Sequence, residues 1–136
     1  MSHLQTLILL TLCLGTLLAD TCGGNCPSND CSSCPCGTAV SQQDISSWCS
    51  QYGWDQRCCT CIVTNESDGD ANAANQNTNG SFDAGLFQIN DVNWGQCNGG
   101  SAPCDVQSNL NCAIQIYQWA GNSFRLWATA AGCGCA

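Results

Sequence analysis

The chain has 136 residues, the length of one domain, and carries ten acids against two arginines. A net charge of -8 excludes nucleic acid and anionic membrane surfaces as partners, since both need a positive footprint. Fifteen cysteines in so short a chain place it in an oxidising compartment, with disulfides as the frame of the fold.

In chain order, "LQTLILLTLCLGTLLA" is apolar and uncharged, too short and wrongly flanked for a membrane span. Residues 1–19 are therefore predicted to be a signal peptide cleaved after Ala19, which makes the protein secreted; an uncleaved anchor helix is the alternative. Cleavage removes Cys13 and leaves fourteen cysteines, enough for seven bridges whose connectivity stays open. "CSSC" (Cys31 to Cys34) and "CCTC" (Cys58 to Cys61) have metal-ligand spacings. The sole histidine, His3, leaves with the signal, so neither a metal nor another cofactor is expected. Residues 20–40 form a Cys-rich segment with no period of a strand or helix, and residues 41–136 form the domain proper.

"SQQD", Ser41 to Asp44, reads as a capping box. Ile45, Trp48, Cys49 and Tyr52 then mark one face of a helix that Gly53 ends. A second helix is predicted over 55–67, with Asp68-Gly69-Asp70 as its stop. Those acids read as a solvated helix end rather than a calcium loop, because the full loop pattern is missing. Asn79-Gly80 signals a hairpin turn, followed by a strand over 82–89. A third helix covers 105–120, with Leu110, Ala113, Ile114 and Tyr117 on its buried face and Gly121 as its stop, and a short last helix covers 124–129. Helices, a small antiparallel sheet, then helices make an α+β fold.

Two carboxyls stand out. Glu66 sits near the C-terminal end of its helix, where the dipole disfavours ionisation and an apolar wall would disfavour it further. Asp83 lies past the turn among Asn77, Thr78, Asn79 and Ser81, whose donors favour the anion. An acid held protonated beside an acid held charged is what glycoside hydrolysis requires. On spacing alone, two acids seventeen residues apart read as two solvated acids. Two sequons, Asn65-Glu66-Ser67 and Asn79-Gly80-Ser81, flank these residues; Asn79, on a turn, is the expected acceptor of a glycan.

"CIVTNESDGDANAANQNTNGSFDAGLFQIN", Cys61 to Asn90, resembles the corresponding stretch of the c-type lysozymes without a gap. It has the helix cysteine five residues before the acid, the "ES" pair, and the strand pattern N-x-N-T-x-G-S-x-D-x-G-x-x-Q-I-N. "NLNCAIQIYQWAGNSFRLW", Asn109 to Trp127, is similar to the family's "NCA" helix and following tryptophan. The resemblance implies a helical lobe and a small β-hairpin lobe with a cleft between. It implies a monomer whose partner is a polysaccharide, peptidoglycan or a chitin-type polymer, cleaved at β-1,4 bonds with retention.

It further implies that Glu66 is the general acid, then base, and that Asp83 is the nucleophile or electrostatic stabiliser. By the same resemblance Asn77, Ser81 and Asn90 hydrogen-bond Asp83, Gln88 lines the cleft, Trp127 desolvates Glu66 and Trp94 stacks on a sugar ring. The chain also departs from the family. Its N-terminal cysteines have no counterpart, "QRCCTCIVTNES" is similar to the invertebrate-type lysozymes, and Ala84 stands where an aromatic is usual. The loop "CNGGSAPC" is short enough that at least one bridge must be rearranged. The acidic balance points to a digestive or acidic setting. A glycan-binding domain without activity and a disulfide-cross-linked matrix protein are the alternatives.

Overall fold

The structure, a computed structural model, describes Cys22 and residues 33–136. The predicted signal peptide and most of the Cys-rich segment lie outside the described residues. The domain is α+β: a group of helices and a three-stranded antiparallel sheet form two lobes with a cleft between them. None of the helices among the described residues is long and apolar enough to cross a membrane.

Helix α1, Ile45–Cys49, is capped by Asp44 and not by Ser41: the Asp44 carboxylate accepts from Ser47 N (3.2 Å) and Ser46 Oγ (3.0 Å). Ser41 is spent elsewhere, its N–H on the Asp70 carboxylate (3.0 Å) and its carbonyl on Ala71 N (2.9 Å). Asp70 also takes Asn72 N at 2.9 Å, so the predicted helix stop ties two segments together. Helix α1 is shorter than its apolar period. The Trp54 indole donates to the Cys49 carbonyl at 2.9 Å, occupying the acceptor that Gly53 N–H would need to continue the helix. Cys49 is in turn bridged to Cys59.

Helix α2, Gln56–Ser67, starts where Asp55 accepts Cys58 N (2.8 Å) and ends at Asp68 in the left-handed region, φ 51°. Cys58 and Cys61, three apart on one face, bond to Cys135 and Cys133 and clamp the C-terminal turns onto α2. Strands β1 (Ala74–Gln76), β2 (Phe82–Ala84) and β3 (Ile89–Asn90) follow in sheet order, all antiparallel.

The strand predicted over 82–89 is broken, because residues 85–88 form a turn with Gly85 and Gln88 at positive φ. Its cause is Asn109, fully buried on a later helix. The side chain accepts Phe87 N (2.8 Å) and donates to Ala84 O (2.9 Å) and Pro103 O (2.7 Å). A Cβ at position 85 would overlap the Asn109 amide, so the turn needs glycine for space as well as for φ.

A 3-10 turn over Asp91–Asn93 leads into helix α3, Trp94–Cys97, which Cys112 holds by a disulfide. Helix α4, Val106–Trp119, is capped by Asp105 on Ser108 N (3.0 Å) and buries Asn109, Leu110, Cys112, Ala113 and Ile116. The predicted last helix is instead a run of turns: Trp127 N bonds Phe124 O (2.9 Å) and Ala130 N bonds Trp127 O (3.0 Å). Phe124 and Trp127, three residues apart, both turn inward onto the core. Trp54 fills the centre, with Phe124, Tyr117, Tyr52 and Phe87 at 5.1–5.6 Å from its ring. The two cysteines of the short 97–104 loop belong to different bridges. Cys104 pairs with Cys36, which fastens the Cys-rich segment to the domain.

Candidate active site

Glu66 lies in the last turn of α2, half-buried, at one side of a cavity of about 400 Å³; Asp83 lies at the same cavity from the sheet. Helix α2 and the turn that follows β2 are joined here by a buried bond from Ser67 Oγ to Leu86 O (2.7 Å). Burial pushes the Glu66 carboxyl above its ordinary value of 4.5. The Thr129 hydroxyl, donating to Oε1 at 2.8 Å, opposes the rise, and the charge of Asp83 adds to it.

The setting of Asp83 follows from register. Asn75 on β1 and Asn90 on β3 are its direct partners across the sheet, so all three side chains share one face. Asn90 Nδ2 donates to Oδ1 (2.8 Å), and Asn77 Nδ2 (3.0 Å) and Asn75 Nδ2 (3.5 Å) donate to Oδ2. Amide donors on both oxygens are partners for an acceptor-only anion.

Ser81 does not hydrogen-bond Asp83, contrary to expectation. Standing just ahead of β2, its hydroxyl accepts from Asn77 (3.1 Å) and Asn90 (3.2 Å) and donates to Asn79 Oδ1 (2.6 Å). It orients the two amides that hold the carboxylate. Gln88 lines the cavity, its amide tied to Ala73 O (3.0 Å) and Gly85 O (2.9 Å). Trp127 lines it too, 7% exposed, with its indole N–H on Phe87 O (3.0 Å). Trp94 is not among the lining residues. Its indole N–H is drawn to Ile89 O (2.9 Å) and its half-buried ring packs against the core.

Four contributors escaped the sequence reading: Asn75, Thr129, and two exposed apolar side chains at the cavity, Trp119 (49% exposed) and Leu126 (55%). Counting back from an Asn79-Gly80 turn sets Gln76, not Asn75, opposite Asp83. The other three depend on how the chain returns after α4, which no local pattern records. On the sheet side the lining is polar, from Asp83, Gln88, Asn90 and Asn93. On the side of α4 and the C-terminal turns it is apolar, from Ile116, Trp119, Leu126 and Trp127.

A family described as "Lysozyme like domain" matches residues 39–129, two thirds of the chain. The chain belongs to the lysozyme-like domain family. Among curated relatives of this lysozyme-like chain, "Lysozyme c-1" of Anopheles gambiae is 36% identical over 77 residues, 49% of this chain and 54% of the relative. "Lysozyme" of Bombyx mori is 39% identical over 71 residues, 43% of this chain and 50% of the relative. The chain thus spans about half the length of the curated relatives it matches.

The raised Glu66 carboxyl has a consequence for the stability of this lysozyme-like domain. A carboxyl whose folded pKa exceeds its unfolded one favours the fold fully below the unfolded value. That contribution is lost as pH rises through the folded value. Glu66→Gln removes the buried charge, so the variant is expected to melt above the wild type at pH 8. The gap should close towards pH 3.5. Calorimetry across that range checks it, and a gap that does not change with pH would count against burial as the cause.

Proposed function

We propose that this lysozyme-like chain is a secreted monomeric glycosidase that hydrolyses β-1,4 bonds in peptidoglycan or a related N-acetylglucosamine polymer, with retention and without a metal or cofactor. The observation that carries the reading is the pairing of Glu66 and Asp83 at one cavity, in unlike surroundings. Glu66, favoured in its protonated form by burial, donates its proton to the glycosidic oxygen as the C–O bond breaks. Asp83, held by Asn75, Asn77 and Asn90, stabilises or captures the positive anomeric carbon left behind. Glu66, now anionic, takes a proton from the water that attacks the same face the leaving group left.

The two-sided lining supports a sugar as substrate. A pyranose has an apolar face and a rim of hydroxyls, which suit the Trp119 and Leu126 side and the amide side respectively. Release of soluble fragments from insoluble peptidoglycan and from chitin tests the reading. Clearing of at least one polymer is expected. Binding without release from either would favour a glycan-binding domain, and covalent oligomers on a non-reducing gel would favour a matrix protein. Trp119→Ala is expected to raise KM for a soluble oligomer roughly tenfold, with kcat within about twofold, because an exposed platform contributes binding shared by substrate and transition state. Unchanged KM would remove Trp119 from the binding surface.

A further inference from the structure

We infer that Asn79 is an N-glycosylation site and that Asn65, the other sequon asparagine, is not. Asn79 stands exposed in the turn between β1 and β2, closed by Asn77 N on Ser81 O (2.8 Å) and Gly80 N on Asn77 O (2.9 Å). Its carbonyl oxygen Oδ1 accepts both the Ser81 N–H (2.9 Å) and the Ser81 hydroxyl (2.6 Å). The amide and the hydroxyl of this sequon are therefore already face to face, and Nδ2 makes no hydrogen bond among the described residues.

Modification uses only that nitrogen. Nδ2 bonds the anomeric carbon of a lipid-linked oligosaccharide diphosphate, the sugar–phosphate bond breaks, the lipid diphosphate departs and one amide proton is lost. Oδ1 keeps both bonds from Ser81, and Ser81 keeps its hold on Asn77 and Asn90. A glycan at Asn79 is thus compatible with the network around Asp83 and stands at the hairpin tip.

Asn65 is exposed as well, but its amide nitrogen is engaged. It lies inside α2 with its Nδ2 donating to Cys61 O (2.8 Å) and set 3.6 Å from the sulfurs of the Cys61–Cys133 bridge. The hydroxyl of its sequon belongs to Ser67, which is buried and committed to Leu86 O (2.7 Å). A sugar on this nitrogen would crowd the clamp between α2 and the C-terminal turns.

The test is secretion of the full chain from cultured insect cells, followed by intact mass with and without peptide N-glycosidase. Wild type, Asn65→Gln and Asn79→Asp are compared. Asn79→Asp retains an oxygen for Ser81, so it removes the sequon without removing the turn. One glycan on wild type and on Asn65→Gln, and none on Asn79→Asp, is expected. An unmodified secreted wild type, or a glycan that persists in Asn79→Asp, would overturn the inference. Ser81→Thr, which preserves the sequon, should keep the glycan; its loss there would count against the site. None of these readouts depends on hydrolytic activity.

Discussion

Glu66→Gln is expected to lower kcat on a soluble N-acetylglucosamine oligomer by about 10²–10⁴-fold, with the fold intact and KM close to that of wild type. The amide keeps an oxygen to accept the Thr129 hydroxyl, so the side chain need not move. What it loses is the proton. Protonation of the leaving oxygen takes place only in the transition state, so its loss appears in kcat and kcat/KM together. A fall in binding with kcat preserved would mean that Glu66 contacts the substrate without acting as the acid. Equal turnover by both proteins would remove it from the chemistry.

Asn109→Leu is expected to destabilise the domain by about 3–5 kcal/mol. Leucine matches the volume and suits a fully buried site, so packing is not what fails. Three backbone groups lose their partner at once: Phe87 N–H, Ala84 C=O and Pro103 C=O. Each buried unsatisfied group costs about 1–3 kcal/mol, and some relaxation makes the sum less than additive.

Asn109→Asp makes a sharper test. It keeps the acceptor for Phe87 but points an anion at two carbonyl oxygens, so it should be no better than leucine at neutral pH. Urea unfolding with the disulfides intact measures both, and a cost under about 1 kcal/mol for Asn109→Leu would show that the 85–88 turn stands without this bond. The damage should also reach the site, because Ala84 follows Asp83 and the Phe87 carbonyl holds the Trp127 indole.

Why a single asparagine matters so much was not legible in the sequence. The apolar and small residues of 82–89 read as one strand because alternation says nothing about a side chain arriving from residue 109. Gly85 was the available signal, a glycine inside a strand pattern marking close backbone approach. The hairpin shows the same limit on a smaller scale. A two-residue Asn79-Gly80 turn would set Gln76 opposite Asp83. The actual loop has one residue more, and Asn75 takes that place. A shift of one residue exchanges the faces of a strand, which is why Asn75 went unseen as a donor while Asn90, fixed by the family pattern, did not.

Helices α2 and α4 were legible almost to the residue, since Asp55 and Asp105 cap them by the local chemistry that marks helix starts. Helix α1 was not, because a tryptophan indole intercepts its last carbonyl. Trp119 reaches the cavity without a sequence signal for a related reason. Tertiary contacts, not the identity of the residue, decide which tryptophan faces the cleft.

Glu66 is the single glutamate of the chain, so cell-free synthesis with glutamate labelled at the side-chain carboxyl gives one resonance to follow with pH. Two carboxyls meeting at one cavity, the glutamate half-buried, predict a midpoint above 4.5 in the wild type and a lower one in Asp83→Asn. A midpoint at the ordinary value, or one that ignores the loss of the Asp83 charge, would contradict the pairing on which the proposed chemistry rests.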